Sequence, residues 1–102
     1  MKTSPPPELA IEASEIKNAV LLLRAIDHPL RQKILQFIFS NQKVFVTEVH
    51  NQFNIEQSVA SDHLGILRDA RLVVANREGR FIFYSVNTQE LHRLQGMLNL
   101  LG

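Results

Sequence analysis

The chain has 102 residues, 45% hydrophobic and 21% charged, which suits one domain with a modest core and excludes a chain kept unfolded by its own charge. It contains no cysteine, so disulfides, thiolate metal sites and thiol redox chemistry are excluded together. Eleven Lys+Arg against 10 Asp+Glu leave a formal charge of +1, too balanced to announce a nucleic-acid partner without a local argument.

The opening stretch "MKTSPPPE" has one lysine and no apolar run, unlike a secretory signal. The longest purely apolar run, "AVLLL", is far short of a membrane span. The expected location is therefore cytoplasmic, with no membrane partner. Three successive prolines predict that residues 1–7 form a flexible, extended arm, with residues 8–102 as a single domain.

From Glu8 a helical pattern begins, with Leu9, Ile16, Val20 and Leu23 among its apolar positions. Val20 to Leu23 is an unbroken apolar run, so at about 100° per residue it points all round the helix. Such a helix needs cover on two sides, from its own domain and from a partner. Asp27-His28-Pro29 breaks the pattern and restarts it: Asp27 or His28 can cap, and Pro29 suits a first helical turn. The second helix carries Leu30, Ile34, Leu35, Phe37 and Ile38 inward, with Arg31, Lys33 and Gln36 expected outside, and "SNQ" ends it. "KVFV" predicts a short strand, and Thr47 is the expected cap of a brief helix that ends at Phe53-Asn54, where asparagine tolerates a left-handed turn.

"QSVASDHLGILRDA", residues 57–70, predicts a helix whose early turns are small and polar and whose later turns are apolar. A hairpin follows in "RLVVANREGRFIFYSV", with Gly79 at its bend. In the last helix Leu91, Leu94, Leu98 and Leu101 are spaced as in a coiled-coil seam.

The fold class is thus mostly α with a small β-hairpin (α+β), ordered as a winged helix-turn-helix with N- and C-terminal dimerisation helices. A helix entering the DNA major groove needs short polar side chains on its first turns, because those reach base edges without clashing. Gln57, Ser58, Ser61 and Asp62 meet that need, with His63 beside them, while Val59 or Ala60, Leu64, Ile66 and Leu67 pack behind. The tip "NREGR" would project Arg77 and Arg80 towards phosphates or the minor groove. Over residues 56–86 the charges cancel, Arg68, Arg71, Arg77 and Arg80 against Glu56, Asp62, Asp69 and Glu78. Bulk electrostatics do not carry the reading.

"RAIDHPLRQKIL", "SVASDHLGILRDARLV" and "REGRFIFYSV" resemble three signature stretches of the ArsR/SmtB family of small dimeric bacterial repressors, over about residues 19–101. The resemblance implies a homodimer on a two-fold symmetric operator, released when an effector binds. It implies that Gln57, Ser58, Ser61, Asp62 and His63 lie on the recognition helix, Arg77 and Arg80 on the wing, and that Arg31 is a positioning residue on the DNA side. The chain also departs from the family. His50 stands where a small residue is usual, so it must swing out or widen the gap between two helices. Arg71 stands where a glycine commonly ends the recognition helix, at a cost of about 1 kcal/mol in a left-handed conformation. Asp62 repels phosphates but can accept from cytosine N4.

Metal sensing, frequent among relatives, lacks its ligands. Phe45 and Thr47 align with the cysteines of the short-helix site, and the last helix offers only Glu90 and His92, two residues apart and off a common face. No cofactor is implied. Ser61, Asp62 and His63 are helix neighbours that cannot converge as a triad, so catalysis is not expected. The competing reading is a winged helix used as a protein-interaction module, which exposed aromatic residues would favour. The apolar first helix and the leucine seam predict a homodimer through Leu9, Ile16, Val20, Leu23, Leu91, Leu94, Leu98 and Leu101.

Overall fold

The computed structural model describes residues 13–101. The arm over residues 1–7, Leu9 and the start of the first helix lie outside the described residues, as does the side chain of Leu101. Within them run α1 (Ala13–Ile26), α2 (Pro29–Asn41), β1 (Lys43–Phe45), α3 (Val46–Phe53), α4 (Gln57–Asp69), β2 (Val73–Glu78), β3 (Phe81–Val86) and α5 (Thr88–Leu101).

Each helix border has a local cause. His28, in extended conformation, caps α2 by accepting from the Leu30 N–H through Nδ1, with Pro29 directly behind it. The last carbonyls of α1 are covered by the first turn of α2: Arg31 donates to Arg24 and Ala25 at 2.8 and 3.0 Å, and Gln32 donates to Ile26 at 2.6 Å. A cation at that place also meets the negative end of the α1 dipole. Arg31 is therefore not on the outer side of α2 as the periodicity suggests. It is 7% exposed, because the α1 terminus folds over it.

The short helix α3 starts two residues earlier than a cap at Thr47 would place it. Phe45 is the cap position, and the Glu48 carboxylate accepts from the Phe45 N–H at 3.1 Å, half of a capping box. Val46, expected in the strand, has been drawn into this helix. Asn54 ends α3 at φ 52°, ψ 48°, the left-handed turn its side chain tolerates. At the end of α4, Arg71 takes φ 64°. Its N–H bonds to the Arg68 carbonyl at 2.9 Å and the Leu72 N–H to the Leu67 carbonyl at 3.0 Å, a complete Schellman motif with arginine in the glycine place.

The three strands form one antiparallel sheet in the order β1-β3-β2. Gly79, at φ 64°, opens the two-residue link that pairs Glu78 with Phe81. One sheet face carries Val44, Val73, Tyr84 and Val86 into the body. They join Leu22, Ala25, Ile34, Ile38, Val49, Ala60, Leu64, Leu67, Leu72 and Leu94 in a single core. Ile34, Ile38, Leu64, Leu67 and Leu72 are nearly sealed from water, and removing one to alanine would cost about 2–5 kcal/mol.

Candidate nucleic-acid interface

Helix α4 is divided lengthwise. Ala60, Leu64 and Leu67 are buried at spacings of four and three, which fixes the helix on the core. The opposite side of its first two turns, Gln57, Ser58, Ser61 and Asp62, is exposed. Of the two candidates for packing at the helix start, Ala60 is fully buried and Val59 is 37% exposed. Val59 thus joins the polar front, as an apolar member, and Ala60 is the one of the pair that packs. Only the small size of Ala60, which lets α4 approach closely, could have told the two apart.

The angle between α3 and α4 is set by a turn with its own lock. Nδ1 of His50 donates to the Ile55 carbonyl at 2.8 Å, and the Ile55 N–H returns to the His50 carbonyl at 3.2 Å. His50 is half-buried and does not swing out. It folds over the turn and satisfies it.

His63 sits half-buried on the flank of α4, one turn after Val59. Its Nδ1 lies 3.3 Å from Nη1 of Arg31, and its ring meets that of His28 edge-on, with centroids 5.0 Å apart and planes at 64°. Burial first, then His28 and Arg31, hold its pKa below the ordinary 6.5, against the pull of neighbouring Asp62. Arg31, included among the DNA-side residues by sequence, has its guanidinium engaged with Arg24, Ala25 and His63.

On the hairpin, strand alternation sorts the charges. Arg77 pairs with Ile82 on the face that continues the core side of the sheet, while Glu78 pairs with Phe81 on the outer face. Glu78 is there held by Lys43 at 2.8 Å. Arg80 stands in the turn, and Arg77 and Arg80 are both exposed. The zero charge of the sequence window therefore does not describe the surface beside α4. Glu78 is neutralised on the other face, and Asp69 lies 3.6 Å from Arg68 at the far end of the helix.

The outer face is aromatic. Phe45 packs within 5.6 Å of Phe81 and 5.5 Å of Phe83, Lys43 lies 4.7 Å over the Phe83 ring, and Phe81 is 49% exposed. These rings stand across the sheet from the arginine-bearing face.

The first and last helices leave apolar surface uncovered. Ile16, Val20 and Leu23 are 53%, 58% and 46% exposed, and Leu98 is 44% exposed. Leu91 is half-buried. Leu94, expected in the same seam, is 4% exposed and packs in the core of its own chain. Among the described residues no three His, Asp or Glu side chains converge as metal ligands, and Glu90 is paired with Arg93 at 2.6 Å. No described helix is long and apolar enough to cross a membrane.

Two helices crossing through a locked turn, a polar-fronted second helix and an arginine-tipped hairpin behind it define a winged helix-turn-helix. The helix-turn-helix domain family matches residues 26–74. The transcriptional repressor SdpR of Bacillus subtilis is 35% identical over 82 residues, spanning 79% of this chain and 90% of that protein. The transcriptional repressor PagR of Bacillus anthracis is 29% identical across 87% of this chain and 89% of its own. Its crystal structure is similar with a TM-score of 0.67 at 28% identity, covering 89% of this chain and 100% of that one. The homodimeric winged helix-turn-helix DNA-binding domain Mb0332 of Mycobacterium bovis, a possible ArsR-family regulator, shares the fold with a TM-score of 0.75 at 20% identity, over 99% and 89% of the two chains. The chain belongs to the ArsR/SmtB family of DNA-binding winged helix-turn-helix transcriptional regulators.

Proposed function

We propose that this regulator is a homodimeric repressor that binds a two-fold symmetric operator, reading bases with the first turns of α4 and gripping the flanking backbone with the hairpin. One observation carries the reading: Gln57, Ser58, Ser61 and Asp62 are exposed on a helix whose other side is sealed into the core, next to a hairpin with Arg77 and Arg80 free at its tip. Gln57 suits adenine, Ser58 and Ser61 suit several bases, and Asp62 accepts from cytosine. Val59 adds an apolar contact of the kind that recognises a thymine methyl. His63 contributes at the flank, and Arg31 acts behind it as a positioning residue.

Repression is favoured because SdpR and PagR are named repressors, although HlyU of Vibrio cholerae is a named activator of similar length. The uncovered face of Ile16, Val20, Leu23 and Leu98 supplies the two-fold contact, joined by Leu91. It sets the two copies of α4 about one helical turn of DNA apart. An effector would act by favouring another angle between the protomers, and must bind the two arrangements unequally to shift anything. A regulator of this kind works in the cytoplasm on double-stranded DNA, without a cofactor.

The aromatic outer sheet face keeps one observation on the side of a protein-interaction module, but it lies opposite the arginines and does not compete with them for the duplex. Replacing Arg77 and Arg80 together by alanine tests the wing. Affinity for all duplexes should fall, and the slope of log K against log salt should flatten by up to about 2. Unchanged binding would remove the hairpin from the interface.

A further inference from the structure

A guanidinium only donates hydrogen bonds. With Nη1 of Arg31 3.3 Å from Nδ1 of His63, the imidazole Nδ1 must be the acceptor and must be bare. Arg31 cannot turn away, because Nε and Nη2 are committed to the Ala25 and Arg24 carbonyls at 3.0 and 2.8 Å. His28 walls the ring from another side at 5.0 Å. A neutral imidazole carries one N–H, so that of His63 is on Nε2. A second proton would set N–H against N–H beside a fixed cation. Burial, His28 and Arg31 accordingly lower the His63 pKa, and Asp62 alone opposes them. Among the described residues no buried side-chain nitrogen lacks a partner. Nε2, which bonds to no protein group, is therefore not sealed inside the protein.

We propose that Arg31 locks His63 in the tautomer with its proton on Nε2, making His63 an obligate hydrogen-bond donor to an acceptor on the bound duplex. This rests on the reading of α4 as the DNA-facing helix. The acceptor is guanine N7 or O6, adenine N7, thymine O4, or a phosphate oxygen. The amino groups of adenine and cytosine are refused by a donor-only edge. Asp62, the preceding residue and acceptor-only when ionised, takes those instead. Two adjacent side chains thus present opposite halves of the hydrogen-bond code. Lowering the His63 pKa also keeps this donor unchanged in character across the neutral pH range.

The first arm of the test needs no DNA. Nitrogen-15 shifts of the His63 ring in the full chain should show Nδ1 unprotonated and Nε2 protonated. Arg31→Met, which keeps the aliphatic stem, should mix the tautomers and raise the titration midpoint. Arg31→Lys, which keeps a donor, should restore part of the preference. A proton on Nδ1 of the wild-type ring would overturn the lock even if Arg31→Met fails to fold.

The second arm measures duplex binding by His63→Gln and His63→Phe. Glutamine can accept from Arg31 and donate outward together, and phenylalanine keeps only the ring packing on His28. His63→Phe should lose about 3- to 10-fold in affinity, the worth of one hydrogen bond, and His63→Gln should recover most of it. Loss confined to one base position identifies a base acceptor, and equal loss on every sequence identifies a phosphate. Full affinity in His63→Phe would overturn the donor contact while leaving α4 as the reading helix. Absence of DNA binding by the wild-type protein, with the tautomer as stated, would instead refute the DNA-facing assignment of α4.

Discussion

Arg71 and His63 show how single side chains trade stability against a role. Arg71 occupies the left-handed place of a Schellman motif at φ 64°, where a Cβ crowds the backbone and glycine does not. Arg71→Gly should stabilise the fold by up to about 0.5 kcal/mol once the greater freedom of glycine in the unfolded chain is subtracted, read as a small rise in thermal midpoint. Its position was legible, because the helix pattern and the missing glycine coincide in "DARLV". His63 has a folded pKa below the ordinary 6.5, so folding favours its neutral form. Its contribution is fully present above 6.5 and is lost as pH falls through the folded value. Denaturant titrations should show the wild type losing stability on acidification more steeply than His63→Phe. Parallel pH profiles would contradict that assignment. The surroundings of His63 were not legible in the sequence, since residues 31 and 63 meet only once α4 packs beside α2.

At the scale of elements, periodicity gave the order of helices and strands and lost accuracy where tertiary contacts choose between neighbours. Arg31 reads as an outer residue of α2 until the carbonyls of Arg24 and Ala25 need a donor. Val59 and Ala60 read as equal candidates for packing until the close approach of α4 selects Ala60. Leu94 reads as part of an intermolecular seam, yet the core of its own chain claims it. His50 is the plainest case. A bulky residue reads as a misfit between helices, and the structure turns it into the bond that closes the turn. His50→Leu should therefore destabilise the protein by about 1–2 kcal/mol, by leaving the Ile55 carbonyl without its partner. Restored stability in His50→Gln, whose amide can reach the same carbonyl, would mark the hydrogen bond and not the bulk as the cause.

Whole-molecule behaviour depends on surfaces that the single chain leaves bare. The proposed two-fold contact places Ile16, Val20, Leu23 and Leu98 between copies, and their exposure is otherwise a cost in water. Val20→Glu with Leu23→Glu should yield a folded monomer by sedimentation, with operator affinity reduced far more than the wing substitutions reduce it, because both half-sites then bind independently. A dimer surviving that double change would move the interface elsewhere. The central claim is that this chain reads a symmetric DNA sequence, and the most direct measurement is selection of bound duplexes from a random pool at moderate salt. The account predicts enrichment of a two-fold symmetric motif with half-sites about one helical turn apart. No enrichment from protein shown to be folded and dimeric would contradict it, and would turn attention to the aromatic face of the sheet.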